Sequence, residues 1–166
     1  MSPIFEPVDN GTLKAIKEKF GDAVLDAGLD KGDLVAIVAP GMIHEIIAFL
    51  RDSPELDFKM LIDLFGVDYM PRVPRFEVVY HLHCLGRNER IRLRVPLDEK
   101  KCEVDTITDL YPVANWLERE AWDMFGVVFK GHPNLKRLLM YEPFKGHPLR
   151  RDYPINKRQP LIGPKN

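Results

Sequence analysis

The sequence predicts an α+β fold: a small antiparallel or mixed sheet with helices packed on one face, followed by a further helix and an extended proline-rich C-terminal arm. Three observations carry this expectation. Apolar residues alternate with period two around Phe58–Leu64, Phe76–Leu82 and Ile91–Val95, as strands require. Helical spacing recurs on both sides of that block, at Leu13, Ile16 and Phe20, at Ile43, Ile46, Ile47 and Leu50, and at Val113, Leu117, Ala121 and Met124. Beyond Tyr141, prolines at 143, 148, 154, 160 and 164 interrupt any regular element.

The first helix is expected to be capped by Thr12 and stopped by Gly21, with a brief strand near 23–25. Asp30-Lys31-Gly32-Asp33 has turn chemistry and leads into a β-branched run, Leu34-Val35-Ala36-Ile37-Val38, which Pro40 and Gly41 end. A second helix then runs to Ser53-Pro54. In the next strand Phe58, Met60, Ile62 and Leu64 alternate with Lys59, Leu61, Asp63 and Phe65, so both faces should be largely covered, and Gly66 should bend it. Gly86-Arg87-Asn88 separates two strongly alternating runs and predicts a hairpin, so these last three strands form a meander. Pro112 suits the first turn of the last helix, whose buried stripe is Val113, Leu117, Ala121 and Met124. Arg119 and Asp123 fall four apart on the opposite face, spaced to pair; Glu118 and Glu120 flank the stripe, and Gly126 closes the helix. The domain organisation read from this is an α+β body over 1–126 and an arm over 127–166.

The chain has 166 residues and a net charge of −1, which suits one folded domain and offers no basic surface for nucleic acid. From Tyr141 onward six basic residues face two acidic ones, a tail of +4 on a body of −5. The start lacks a basic, apolar leader, and no apolar run is long enough to cross a bilayer, so the expected location is cytosolic or peripheral to a membrane. Cys84 and Cys102 stand alone without a CxxC pair, too few thiols for an iron–sulfur cluster or structural zinc, and no glycine-rich nucleotide fingerprint is present.

His81 and His83 share a strand face and could offer two metal ligands. In the natural hairpin register Arg90, Arg92 and Arg94 lie on that face, which favours a polar surface or a docking surface for an acidic neighbour over a metal site. Glu118, Glu120 and Asp123 could be offered as acid–base groups, but three carboxylates on one helix beside Arg119 read as ion-pairing and capping. Phe129-Lys130-Gly131-His132-Pro133 recurs as Phe144-Lys145-Gly146-His147-Pro148, two turns with an anchored Phe and a presented His. Each His either satisfies a backbone carbonyl or, with Arg150, Arg151 and Asp152, fixes the arm to another protein.

Glu118-Arg119-Glu120, Asp123-Met124-Phe125, His132, Lys136, Leu138 and Leu139, followed by Gly146-His147-Pro148-Leu149-Arg150-Arg151-Asp152-Tyr153-Pro154, resemble the signature of the thirty-kilodalton subunit family of respiratory complex I. Its bacterial members are the C subunits of NADH-quinone oxidoreductases. Residues 156–166 depart from the family's ending. The resemblance implies a peripheral-arm subunit on the cytoplasmic side of the inner membrane. Such a subunit carries no catalytic residue, cofactor or metal of its own, while FMN, iron–sulfur clusters and quinone sit in other subunits. It implies as partners the large D subunit and neighbouring iron–sulfur subunits. The expected partner-binding residues are Glu118, Arg119, Glu120, Asp123, His132, Lys136, Arg137, His147, Arg150, Arg151, Asp152 and Tyr153. The same signature suits the equivalent subunit of a membrane-bound hydrogenase or an F420- or ferredoxin-dependent oxidoreductase; a stand-alone metal enzyme built on His81 and His83 is the third reading.

Overall fold

In the computed structural model, which describes residues 4–159, α1 (Gly11–Phe20) is capped by Asn10 instead of Thr12. The Asn10 side chain accepts from the N–H groups of Thr12 and Leu13 at 2.8 and 3.2 Å. Thr12 is buried and donates its hydroxyl to Glu89.

The strand expected near 23–25 is longer, β1 (Val24–Asp30), because it pairs along its length with β2 (Asp33–Val38) across the positive-φ pair Lys31 and Gly32. After α2 (Ile43–Asp52) come β3 (Met60–Asp68), β4 (Phe76–Cys84) and β5 (Glu89–Leu97). The five strands run β1-β2-β5-β4-β3, antiparallel except for the parallel β2–β5 pair, so the sheet is mixed and the expected hairpin and meander are present.

Leu34, Ala36 and Val38, Leu61 and Leu64, Val78, Tyr80 and Leu82, and Ile91, Leu93 and Val95 point to one face. They form a single core there with Leu13 and Ile16 of α1 and the Ile43, Ile46, Ile47, Leu50 stripe of α2. Burying such a set supplies the main drive for folding.

Strict alternation fails in β3. A bulge between Leu61 and Asp63 turns Met60 and Ile62 outward and puts Leu61 and Leu64 inside. Gly66 lies inside β3, which continues to Asp68. Its missing side chain makes room for Phe125, whose ring would lie 2.7 Å from an added Cβ.

The last helix, α3 (Ala114–Phe125), begins after Pro112 and Val113, and Val113 is half-exposed. Ala114, Glu118, Ala121 and Met124 form its buried face, so the stripe is shifted by one residue at its start. Glu118, Arg119 and Asp123 are buried as well, and Arg119 and Asp123 engage the arm instead of each other. Gly126 closes α3 at φ 79°. Short parallel strands β6 (Glu103–Asp105) and β7 (Val128–Lys130) then tie the chain back to the body. From 131 to 159 no helix or strand forms, and the arm crosses α3 and the end of the sheet.

Candidate functional site

α3 is amphipathic in an unusual sense, because three of its charged side chains face inward and each needs a partner there. Glu118 is fully buried. Its carboxyl accepts from the Ile107 N–H at 2.8 Å and meets the Thr106 hydroxyl at 2.5 Å. Burial pushes this carboxyl up to about 7, even though both hydrogen bonds favour the ionised form. The folded chain therefore keeps a proton that the unfolded chain releases near pH 4.5, and this contribution is lost as pH rises to 7. The contribution of this carboxyl should fall by about 3 kcal/mol across that window. Glu118→Gln should abolish the fall, which denaturant unfolding at pH 5 and pH 8 measures.

Arg119 donates to the carbonyls of Lys136 (3.1 Å) and Arg137 (2.9 Å) and stacks 5.0 Å from the Trp116 ring centre. Asp123 gathers four donors. One oxygen accepts from Arg137 at 2.6 Å, and the other from the successive N–H groups of Leu138, Leu139 and Met140 at 2.9–3.0 Å. Burial would raise its pKa, but these donors outweigh it and hold the carboxyl below its ordinary value. Arg137 also donates to the carbonyls of Phe144 and Gly146 and lies against the Trp122 and Phe144 rings.

Both His-Pro turns use their histidine on a backbone carbonyl. His132 Nε2 lies 3.2 Å from Asn115 O, and His147 Nδ1 lies 3.1 Å from Asp123 O. Gly126 is required beneath the second turn, since an added Cβ would meet the His147 ring at 2.7 Å and Arg150 at 2.6 Å. Arg150 donates to Phe125 O at 2.6 Å and stacks on Phe76, and Leu149 N–H donates to Met124 O. Phe144 stacks on Tyr153, whose hydroxyl accepts from Gln159.

A second anchor lies at the sheet end. Arg75, almost completely buried, meets Asp68 at 2.8 Å, Asp152 at 2.6 Å and Glu99 at 2.6 Å, and Asp68 also accepts from the Arg151 N–H. Burial alone would raise the Asp68 carboxyl; Arg75 and the N–H groups of Arg151 and Met70 bring it down to about 2. Sequence reading passed over Asp68 and Arg75. The available signal was the position of Asp68, in line with the inward Leu64 and Gly66, where a charge requires a counter-charge.

Of the twelve expected residues, Glu118, Arg119, Asp123, His132, Arg137, His147, Arg150, Arg151, Asp152 and Tyr153 make contacts within the chain. The side chains of Glu120 and Lys136 are exposed without a partner among the described residues. Glu120 stands at the rim of an apolar cleft of about 200 Å³ lined by Leu64, Phe65, Ala121, Met124, Phe125 and Leu149. Val113, Trp116, Leu139, Leu149 and Ile155 expose about half or more of their surface nearby and along the arm. Among the described residues no group of three or more His, Cys, Asp or Glu side chains could hold a metal ion, and no helix is long and apolar enough to cross a membrane. Cys102 is half-buried, and burial pushes its thiol up to about 11.

The family model of the respiratory-chain NADH dehydrogenase 30 kDa subunit matches residues 36–159. The chain is 47% identical over 153 residues to the NADH-quinone oxidoreductase C subunit of Roseiflexus sp. (strain RS-1), covering 92% of this chain and 88% of that one. It is 43% identical over 157 residues to the C subunit of the Citrifermentans bemidjiense enzyme, covering 93% and 96%. Among solved structures it resembles a trypsin-resistant fragment (1–134) of Nqo5, with TM-score 0.65 and 33% identity over 75% of this chain and 99% of that one. It also resembles a chain of an archaeal membrane-bound sulfane sulfur reductase, with TM-score 0.67 and 25% identity over 87% and 84%. The α+β body, the α3 signature and the arm pinned to it thus have one common origin: the chain belongs to the family of the 30 kDa subunit of the respiratory-chain NADH dehydrogenase.

Proposed function

We propose that this chain is a cofactor-free peripheral-arm subunit of a proton-pumping NADH-quinone oxidoreductase. It holds the large quinone-site D subunit and the neighbouring iron–sulfur subunits in register on the cytoplasmic side of the membrane. FMN, iron–sulfur clusters and quinone belong to those other subunits, and this chain supports electron transfer by placing them.

The observation that carries the reading is that the signature charges of α3 are used inside the chain. Arg119 and Asp123 hold an arm without regular structure in one shape. That arm and α3 then present Trp116, Leu139, Leu149 and Ile155, together with unpartnered Glu120 and Lys136 side chains, to the outside. An ordered surface loses less conformational entropy on docking than a disordered strap would. Glu118, Arg119, Asp123, His132, Arg137, His147, Arg150, Arg151, Asp152 and Tyr153 shape the surface, while Glu120 and Lys136 touch the partner. The proposed division is a body of 1–126 and an arm of 127–166, with Val127, Phe129 and β7 anchoring the start of the arm in the core of the body.

Affinity purification of the tagged chain, with co-purifying chains identified, tests this. Recovery of the large D subunit and the iron–sulfur subunits is expected, with Leu149→Asp lowering their yield. A large partner bearing nickel ligands would assign the chain to a membrane-bound hydrogenase instead. The likeness to an archaeal respiratory membrane complex makes such a sister machine the second reading. Recovery of the monomer alone would sink both.

A further inference from the structure

The arginine row of β5 is not uniform. Arg92 donates to Asp33 at 2.9 Å and to His81 Nε2 at 2.9 Å, and Arg94 donates to both oxygens of buried Glu77 at 2.8 and 3.1 Å. Arg90 is exposed and has no carboxylate or carbonyl partner among the described residues. It lines two adjoining clefts, the first on the sheet face away from the helices and the second at the end of the strands beside the β1–β2 turn. One, of about 370 Å³, is shared with Asp33, Ile62, His81 and Arg92; the other, of about 340 Å³, with Gly32, Asn88 and Glu89.

The β3 bulge turns Ile62 into the first cleft. Ile62 and neighbouring Met60 are 42% and 43% exposed. The helices leave this face open; among the described residues the segment around Phe5 covers the part near β1 and Arg94, and Arg72 covers Glu77. Because Arg92 and Arg94 already have counter-charges, their side chains are fixed, and the unmet donors of the row are concentrated in the Arg90 fork. A guanidinium fork matches a carboxylate through two parallel hydrogen bonds. Bordered by exposed apolar side chains, it has the make-up of an interface anchor.

We propose that this cleft docks an acidic segment of a neighbouring subunit, with Arg90 gripping a carboxylate while Ile62 and Met60 cover its methylene stem. The inference rests on the assembly reading above and adds a second contact, on the opposite side of the sheet from the helices. His81 strengthens the site's specificity. Its Nε2 accepts from Arg92, so the neutral ring carries its proton on Nδ1 and the positive charge of the cleft rests on the arginines.

The test uses the tagged full chain expressed with its complex. Arg90→Glu should melt like the wild type, since Arg90 is exposed, yet bind its partner at least about tenfold more weakly. Arg90→Lys should lie between the two. A photo-reactive residue at position 62 should cross-link to a partner peptide containing Asp or Glu, and reversing that acidic residue to Arg should restore binding to Arg90→Glu. Undiminished binding by Arg90→Glu, or a cross-linked peptide without an acidic residue, overturns the proposal and leaves the assembly reading standing. If the wild-type chain itself recovers no other subunit, the assembly reading falls and this site with it.

Discussion

Replacing Asp123 by Ala is expected to destabilise the chain by about 3–5 kcal/mol, the range for removing one partner of a buried ion pair. The carboxylate is fully buried and serves four donors; its loss would leave the three N–H groups without an acceptor and Arg137 without its counter-charge. For a domain of this size each kcal/mol lowers the melting temperature by about 2–4 °C, so a drop of about 10 °C is the expected readout. The damage should be concentrated in the arm. Limited proteolysis should cut between 131 and 159 well before the sheet is attacked, because those residues contribute little to the core. Asp123→Asn, which keeps an oxygen for the three N–H groups but offers no charge to Arg137, should lose less. Arg137→Met combined with Asp123→Ala should cost less than the two changes added, as one network requires. A loss below about 1 kcal/mol for Asp123→Ala would show that the arm is not held from α3.

Arg75→Met should be comparably severe at neutral pH, costing about 3–5 kcal/mol, because it strands the buried Asp68 carboxylate. Its distinguishing mark is pH dependence. In the wild type the Asp68 carboxyl sits at about 2, below its unfolded value. The stability it contributes is therefore present above about pH 4 and is lost as pH falls through about 2, amounting to about 2 kcal/mol. Without the guanidinium, burial is the larger influence on that carboxyl, so protonation becomes favourable and the gap between variant and wild type should narrow on acidification. Unfolding curves at pH 7, 4 and 2.5 would show it. A gap that stays constant with pH would assign the cost to lost packing of Arg75 against Phe76 and leave the Asp68 charge without a role.

Together the two anchors explain how the arm can be ordered without secondary structure. Asp123 satisfies three successive N–H groups around 138–140 that no strand or helix supplies, and Asp68 and Arg75 do the same work at 151 and 152.

The sequence by itself determined the α+β class, the β4–β5 hairpin and its register, the α2 stripe and the family signature. Period and turn chemistry are local, and a two-residue alternation leaves little choice of face. It also placed Arg90, Arg92 and Arg94 on the face of His81 and His83 before any tertiary contact was known.

Only the tertiary structure decided where the signature charges go. Arg119 and Asp123 have helical spacing for a pair with each other, yet both lie against residues 136–140, whose carbonyls and N–H groups need partners more than two exposed side chains would. The same holds for the bulge that turns Ile62 outward, for Gly66 under Phe125, and for Asp68 meeting Asp152 across Arg75. Each depends on groups far apart in the chain being brought together and desolvated. A buried charge is tolerated only when its counter-charge arrives from elsewhere in the fold, and local sequence spacing carries no record of that arrival.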